Sequence, residues 1–328
     1  MNDRRKLIVA LGAGALTAPF GSFAQPQGKV WRIGVLGAGS PAGWAPMVEA
    51  LRAGLRELGY IEGSNINIDY RWADGQYDRL PELVADLIRL KVDVIVTHAT
   101  AGIGAAKRAT TTMPIIMASI GDPVASGLLT NLSRPGGNIT GLSVIAPELA
   151  SKRLELIREL LPRATLVGEL VDPANTYWQR VRQDYEQAFR SLRMQPLFVE
   201  VANPGEIEKA IAQIASRRAD ALIVRGDPTF TSNREQIARL AVQHALPTIA
   251  EDRTSAEAGI LMSYGPDNAA AGRIVAGYID RILRGAKPGD LPIAQPTKFE
   301  FVINLKTAKA LGMTIPQPLL LRADQVIS

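Results

Sequence analysis

The sequence predicts an α/β fold made of two Rossmann-like lobes, each with a parallel sheet covered by helices. Apolar, β-branched runs alternate almost without a break with amphipathic helical segments along the chain. A stretch rich in Gly, Pro, Asn and Ser, GDPVASGLLTNLSRPGGNITG at residues 121–141, divides this alternation into two similar arrays. Each array has the size of an ordinary α/β domain, so two lobes are predicted.

In the first array, residues 92–97 (VDVIVT) form a continuous apolar run that is typical of a strand buried on both faces. The predicted strands of this half are residues 30–36, 66–70, 92–97 and 114–118, and its predicted helices are residues 45–59, 79–91 and 101–110. The predicted strands of the second half are residues 140–144, 165–170, 197–201, 221–224, 248–250, 260–263 and 299–303. Its predicted helices are residues 147–161, 176–193, 206–217, 232–244, 269–284 and 305–311, followed by a short tail.

The N-terminus has the layout of a secretory signal sequence. A basic start, Arg4 to Lys6, precedes an apolar run at residues 7–18, and small residues follow at Ser22 and Ala24. The run is shorter than the roughly 20 residues that a membrane span needs. We therefore expect residues 1–24 to be a signal peptide and the protein to be periplasmic or otherwise extracytoplasmic, exported by the Sec or the twin-arginine route.

Composition excludes several classes of function. The chain has 328 residues, 47% of them apolar, and no cysteine, which excludes disulfides, thiolate metal sites and a cysteine nucleophile. Its net charge of +5 is dispersed, without a basic block interleaved with aromatics, so no nucleic-acid partner is predicted. Two scattered histidines give little support to a metal site.

The glycine-rich segment IGVLGAGSPAG, residues 33–43, leaves a cofactor-binding alternative open. Its strand, turn and helix approximate a dinucleotide fingerprint, and Asp69 or Asp74 could supply the acid after the second strand. Pro41 and Pro46 are expected to delay the helix start and so weaken a pyrophosphate site. An exported NAD(P)-dependent oxidoreductase is therefore the rival enzyme hypothesis, whereas no G-x-S-x-G hydrolase motif occurs.

In open parallel sheets, ligands bind at the carboxyl ends of the strands. Here the strand-end loops are small and polar, which suits a small polar ligand. The segment THATAG, which includes His98 as a lining residue, places two hydroxyls at a helix start, where they could hold a carboxylate or where Thr100 could cap the helix. Asp227 could cap a helix or neutralise an ammonium group. These loops are residues 37–40, 97–100, 119–123, 172–176, 225–229 and 251–253.

Three longer motifs mark a resemblance to a known family, and this resemblance covers essentially the whole mature chain. They are GDPVASGLLTNLSRPGGNITGLS at 121–143, ILMSYGPD at 260–267 and FEFVINLKTAKALGMTIPQPLLLRADQVI at 299–327. The chain resembles the substrate-binding proteins of ABC transporters, in the TrpX-like branch of aromatic amino-acid binders. The resemblance implies a type 1 periplasmic-binding fold with a hinge of three crossovers. The implied lobes are residues 29–143 with 265–293, and residues 144–264 with 294–328.

The resemblance also implies a function without catalysis or cofactor. A small solute, expected to be an amino acid or related zwitterion, would be trapped between the lobes and delivered to a membrane permease and its ATPase. The protein is expected to be a monomer, and a sensor that presents its ligand to a signalling receptor is an alternative. The expected ligand-binding residues are Ser40, Thr97, Thr100, Ser119, Asp122, Asn175 and Asp227, with Tyr177, Trp178 and Tyr264 as candidate aromatic flanks. In this scheme Thr97 and Thr100 hold the carboxylate, and Asp227 and Asp122 balance the ammonium.

Overall fold

The computed structural model describes residues 29–144 and 146–328. The expected signal peptide lies outside these ranges. Residues 31–328 form one compact unit, and within the described ranges no helix is both long and apolar enough to cross a membrane.

The first lobe is built on a five-stranded sheet in the order β2-β1-β3-β4-β5, with all strands parallel. Its strands are β1 (Trp31–Gly37), β2 (Ile66–Trp72), β3 (Val94–His98), β4 (Ile115–Ser119) and β5 (Ile139–Gly141). The helices that precede β5 in the chain are α1 (Pro41–Glu57), α2 (Leu80–Arg89) and α3 (Ala99–Ala109).

The second lobe is built on a seven-stranded sheet in the order β12-β11-β10-β9-β8-β6-β7. Its strands are β6 (Leu166–Val171), β7 (Gln195–Glu200), β8 (Ala221–Val224), β9 (Thr248–Ala250), β10 (Met262–Pro266), β11 (Phe299–Asn304) and β12 (Gln325–Ile327). Its helices are α4 (Ala146–Leu160), α5 (Thr176–Ser191), α6 (Ile207–Ser216), α7 (Pro228–Ser232), α8 (Arg234–Gln243), α9 (Arg253–Glu257), α11 (Leu305–Ala310) and α12 (Gln317–Arg322). The sheet is not entirely parallel, because β10 and β11 pair in antiparallel fashion.

Helix α10 (Asn268–Leu283) joins the first lobe although it follows a strand of the second sheet in sequence. It packs beside α1 on one face of the first sheet, while α2 and α3 cover the other face. The two helices approach closely because Gly272 carries no side chain: a Cβ there would lie 2.4 Å from the Cβ of Ala50. The second sheet is likewise covered on both faces, so each lobe has its own apolar core.

Several details differ from the sequence expectations. The strand expected at residues 140–144, at the start of the second half, is β5, and it belongs to the first sheet because it pairs with β4. Helix α1 begins at Pro41 rather than at residue 45, because Ser40 caps it by accepting a hydrogen bond from the Gly43 N–H and proline is well suited to the first helical position. The expected C-terminal tail contains α12 and the edge strand β12. Strand β12 pairs with β11, and Asp324 accepts a hydrogen bond from the Phe301 N–H at 2.8 Å.

The chain passes between the two lobes three times: after β5, after β10 and before β11. The first and third passages run together, since Leu142 forms an isolated parallel bridge with Ala294. Asp267, in the second passage, forms an ion pair of 2.6 Å with Lys298, in the third passage. Three adjacent connections give the geometry of a hinge.

Candidate ligand-binding cleft

A cleft of about 200 Å³ lies between the lobes at the carboxyl ends of the strands. This is the edge at which open parallel sheets bind ligands. Its lining from the first lobe includes Trp44, Met47, His98, Thr100, Ser119 and Gly121. Its lining from the second lobe includes Arg153, Asn175, Tyr177, Tyr185, Arg225, Asp227 and Glu251.

An aromatic stack forms part of the first-lobe wall. The rings of Trp44 and His98 lie 4.2 Å apart between centroids and are almost parallel, with 13° between their planes. Nε2 of His98 accepts a hydrogen bond from the Ala38 N–H at 3.2 Å, so the imidazole proton is assigned to Nδ1. Burial lowers the pKa of His98 to about 3. The wall is therefore an uncharged aromatic surface at neutral pH.

The N-terminus of α3 opens onto this wall. Its N-cap is His98, whose side chain makes no capping hydrogen bond, so the first backbone N–H groups of the helix lack the usual side-chain acceptor. Ala99 lies in the left-handed region with φ +58°, and both it and Thr100 line the cleft. Such strain in a non-glycine residue costs on the order of 1–3 kcal/mol and is typical of binding sites. These donors and the positive end of the helix suit an anionic group.

Asp227 contributes a buried carboxylate to the opposite wall. It is 5% exposed and caps α7, with Oδ1 accepting a hydrogen bond from the Thr229 N–H at 2.9 Å. Oδ2 accepts a hydrogen bond from Nδ2 of Asn175 at 2.9 Å, and the hydroxyl of Tyr77 in the first lobe lies 3.4 Å from Oδ1. Burial, with a smaller contribution from the nearby Asp172 carboxylate, raises the pKa of Asp227 to about 6. All three hydrogen-bond donors are neutral, which leaves the carboxylate suited to a cation.

Two arginines in the second-lobe wall are already paired. Arg225 donates to Glu169 at 2.7 Å, and both side chains are buried. Arg153 donates to Glu251 at 2.9 Å and also to the carbonyl oxygen of Tyr264. The opposite charges within each pair offset each other. Two lining carboxylates, Asp227 and Asp252, accept described hydrogen bonds only from uncharged donors, and of these two Asp227 is the buried one.

The two lobes touch each other around the cleft. Ser40, at the start of α1, donates its N–H and its hydroxyl to Oγ of Ser232 at 3.1 and 3.0 Å. Arg234 donates to the carbonyl oxygen of Ala42 at 2.8 Å, and Arg180 donates to that of Ala125 at 3.3 Å. These contacts join residues far apart in sequence, and they give the lobes a closed arrangement.

The glycine-rich turn at residues 33–43 is explained by close packing. A Cβ at Gly37 would lie 2.0 Å from the indole ring of Trp72, and one at Gly43 would lie 2.6 Å from Oγ of Ser232. A Cβ at Gly39 would lie 3.1 Å from the Cβ of Pro228 in the other lobe. The helix start is not delayed as expected, but the glycines serve packing inside the lobe and contact between the lobes.

The structure brings half of the predicted site residues together at the cleft. The predicted residues that line it are Thr100, Ser119, Asn175 and Asp227, together with the predicted aromatic flank Tyr177. All five come directly from, or just after, the carboxyl ends of strands, which is the position from which they were predicted. Their contact with a ligand stays a prediction.

The other five predicted residues do not line the cleft. Thr97 is fully buried and donates its hydroxyl to the carbonyl oxygen of Leu36 at 2.9 Å. Asp122 caps a turn by accepting from the Val124 N–H at 2.7 Å. Ser40 lies at the contact between the lobes, as described above.

The two remaining aromatic residues are packed elsewhere in the second lobe. The indole of Trp178 makes an edge contact with the ring of Phe198, with centroids 4.7 Å apart. The ring of Tyr264 stacks on Phe299 at 6.1 Å. Neither side chain faces the cleft, because each packs on its own lobe beside a neighbouring aromatic ring.

Several lining residues were not among the expected ligand-binding residues. Arg225 and Glu251 begin the predicted strand-end loops 225–229 and 251–253, so the sequence indicated their position although it did not single them out. Tyr185 lies two turns after Tyr177 on α5, so both share one helix face. Trp44 and Arg153 have no such signal, because α1 and α4 present them to the cleft only through the packing of the lobes.

Comparison with known proteins identifies the family. The family model described as ABC transporter substrate binding protein matches residues 33–327. The chain belongs to this family. A tyrosine-binding protein of Clostridioides difficile (strain R20291) is 28% identical over 259 residues, which cover 79% of this chain and 74% of that protein.

Solved structures agree on the architecture. A conserved domain protein from Vibrio cholerae O1 biovar El Tor superposes with a TM-score of 0.86 at 28% identity, over 91% of this chain and 100% of that one. An ABC domain from Streptococcus pneumonia, solved in complex with L-Trp, gives a TM-score of 0.84 at 29% identity, over 90% and 99% of the two chains. The two-lobed α/β fold is thus that of type 1 periplasmic binding proteins, as the resemblance implied. Two of these relatives are described by an amino acid that they bind, tyrosine in one case and L-Trp in the other.

Proposed function

We propose that this substrate-binding protein captures an α-amino acid, with an aromatic side chain, in the cleft between its lobes. The observation that carries the proposal is Asp227, a buried carboxylate at the cleft that is hydrogen-bonded only by neutral donors. An ammonium group in that position would form a charge-assisted hydrogen bond in a largely dry site. The tyrosine-binding and L-Trp-bound relatives support an amino acid with an aromatic ring.

The other parts of the ligand have matching surfaces. The open N-terminus of α3, with Thr100 and the nearby Ser119, offers uncharged donors to a carboxylate. The stacked Trp44 and His98 offer an apolar face to a ring, since offset stacking is favourable between aromatic groups. Thr97 is not part of this arrangement, because its hydroxyl is donated to a backbone carbonyl inside the sheet.

The mechanism follows from the hinge. Groups from both lobes contact one ligand, so the ligand binds the closed arrangement more tightly than an open one and shifts the population toward closure. The closed protein would then dock on a membrane permease coupled to an ATPase, acting as a monomer outside the cytoplasm after removal of residues 1–24. We propose lobe boundaries at residues 143/144, 264/265 and 293/294. The first and third fall in passages between the sheets, whereas the second falls within β10, two residues before that strand ends.

A thermal-shift screen of the purified protein tests the proposal. The panel contains amino acids, small carboxylates, sugars and NAD(P). A ligand at a hundred times its Kd adds about 2.7 kcal/mol to the free energy of unfolding. We expect stabilisation by aromatic amino acids and its loss in Asp227→Ala. Stabilisation by NAD(P) alone would overturn the proposal and favour the oxidoreductase hypothesis.

A further inference from the structure

Two buried phenol hydroxyls in the cleft wall lack a hydrogen-bond partner. Tyr177 and Tyr185 are 5% and 3% exposed, both line the cleft, and neither hydroxyl is bonded to any described residue. An unsatisfied buried hydroxyl costs about 1–3 kcal/mol, and native proteins keep few of them. Two in one wall of a binding cleft indicate that a ligand group completes their hydrogen bonding.

Helix α5 presents the two phenols together. They lie two helical turns apart, on the face that also carries Val181, and all three belong to one small cluster. The ring of Tyr177 reaches the other lobe, since a Cβ at Gly121 would lie 2.7 Å from its hydroxyl oxygen. The guanidinium of Arg225 lies 4.3 Å from the ring centroid of Tyr185, which fixes the position of that ring.

The surroundings select a neutral partner rather than a charged one. Arg225 is paired with Glu169 at 2.7 Å, and Arg153 is paired with Glu251 at 2.9 Å, so this part of the wall has no spare cation for a carboxylate. Burial raises the pKa of both phenols, which keeps them protonated as donors. A hydroxyl oxygen accepts hydrogen bonds and can donate one in turn, which suits two neighbouring phenols.

We infer that Tyr177 and Tyr185 bind a hydroxyl at the end of the ligand's side chain, so that the cleft selects hydroxylated aromatic amino acids over purely hydrocarbon ones. The inference rests on the proposed function and adds to it the feature that discriminates among aromatic side chains. A site built to hydrogen-bond a substrate hydroxyl rejects the analogue that lacks it, because its own polar groups are then left unpaired.

Isothermal titration calorimetry with L-tyrosine and L-phenylalanine tests the inference, since the two ligands differ only in the hydroxyl. L-glutamate is included as a ligand with a charged side-chain end. We expect L-tyrosine to bind at least tenfold more tightly than L-phenylalanine, and L-glutamate to bind more weakly still. Tyr177→Phe and Tyr185→Phe should each weaken L-tyrosine binding several-fold and leave L-phenylalanine binding unchanged or stronger.

Two controls separate binding from folding. Tyr70→Phe removes a phenol hydroxyl on β2, outside the cleft lining, and should change neither affinity. The ligand-free Tm of Tyr177→Phe and Tyr185→Phe should not fall, because each change removes an unsatisfied buried hydroxyl.

The outcomes that overturn the inference are distinct. Equal affinity for L-tyrosine and L-phenylalanine would refute it and leave amino-acid capture standing. Equal weakening of both ligands by Tyr177→Phe and Tyr185→Phe would mean that the phenols hold the ligand's main-chain carboxylate instead. Tighter binding of L-glutamate than of L-tyrosine would refute the inference that the two phenols bind an uncharged group of the ligand. L-tryptophan is titrated as well: if it alone binds, the inference fails and amino-acid capture stands; if neither it nor any of the three amino acids binds, both fail together.

Discussion

The two walls of the cleft differ in charge. Among the described residues, the first lobe lines the cleft without any ionised side chain, through Trp44, Met47, His98, Thr100 and Ser119. The second lobe supplies every charged side chain of the lining, in the form of Arg153, Arg225, Arg234, Asp227, Glu251 and Asp252. One wall therefore offers shape and uncharged donors, and the other offers charge.

This difference assigns separate tasks to the lobes. An uncharged aromatic wall can hold a ring and a carboxylate at a helix end without paying to bury charge of its own. In the charged wall, Arg153 is paired with Glu251 and Arg225 with Glu169, so the charges within each pair offset each other. Asp252 accepts hydrogen bonds from Ser255 within its own helix.

Arg234, which donates to the carbonyl oxygen of Ala42 and to Thr254, is a cation and repels an ammonium. Asp227, a buried carboxylate of the lining, is therefore what is left for an ionic contact with the ligand's ammonium. The ligand's ammonium is thus expected to depend on one residue of the second lobe.

Replacing that residue should have the largest effect. Asp227→Asn keeps a good N-cap and the side-chain shape but removes the charge. Losing one partner of a buried charge pair costs about 2–5 kcal/mol of binding free energy, so the Kd measured by calorimetry should rise at least about thirtyfold. Asp220→Asn is the control, because Asp220 also accepts backbone hydrogen bonds in the second lobe but lies outside both the cleft lining and the passages between the lobes. Unchanged affinity in Asp227→Asn would show that Asp227 does not bind the ligand's ammonium.

Acidic pH should have the next largest effect, and it should act through the same wall. The pKa of Asp227 is raised to about 6, so the carboxyl is mostly ionised at pH 7.5 and mostly protonated at pH 5. An ammonium binds the ionised form, and affinity should therefore fall as the pH drops through 6, by about tenfold at pH 5. Burial also raises the pKa of Asp172, which works in the same direction, whereas His98 stays neutral over this range.

Asp227→Asn provides the test of that pH dependence. Calorimetry from pH 5 to pH 8 should show that the Kd of the wild type rises as the pH falls, whereas the Kd of the variant should change much less with pH. An equal pH dependence of the Kd in both proteins would mean that a group other than Asp227 causes it.

The sequence predicted the charged wall better than the aromatic one, for a physical reason. Asn175 and Asp227 follow buried strands, and the carboxyl ends of parallel strands must meet at one edge of the sheet. Thr97 lies at such an end too, but its hydroxyl is donated to the neighbouring strand. Because side chains alternate along a strand, Thr97 faces the opposite side from its neighbour His98, which lines the cleft. Trp44 lies on a helix whose orientation depends on packing against α10, a helix more than two hundred residues later in the chain.

The aromatic wall can be weakened separately. Trp44→Leu keeps apolar bulk and removes the flat surface that stacks with His98. Aromatic contacts are worth about 0.5–1.5 kcal/mol beyond the area they bury, so affinity for an aromatic amino acid should fall about threefold to tenfold. The fall should be the same at pH 5 and pH 8, because no charge is involved. A pH-dependent loss would mean that the two walls do not act independently.

The smallest effect is expected from a change that holds the two walls apart. Gly43 lies at the contact between the lobes, and a Cβ there would lie 2.6 Å from Oγ of Ser232 and 3.2 Å from its Cα. Gly43→Ala should therefore disfavour closure and weaken binding a few-fold, because the closed arrangement is the one that the ligand selects.

Gly277→Ala is the control for this change, since a Cβ at that position in α10 has no neighbour within 4 Å. Alanine is the better helix former by roughly 0.5–1 kcal/mol, so Gly277→Ala should not lower the ligand-free Tm and should leave affinity unchanged. The ligand-free Tm of Gly43→Ala should be close to that of the wild type, because each lobe keeps its own core. A large fall in that Tm would show that the lobes stabilise each other without ligand, and closure would then not be a step that ligand binding drives.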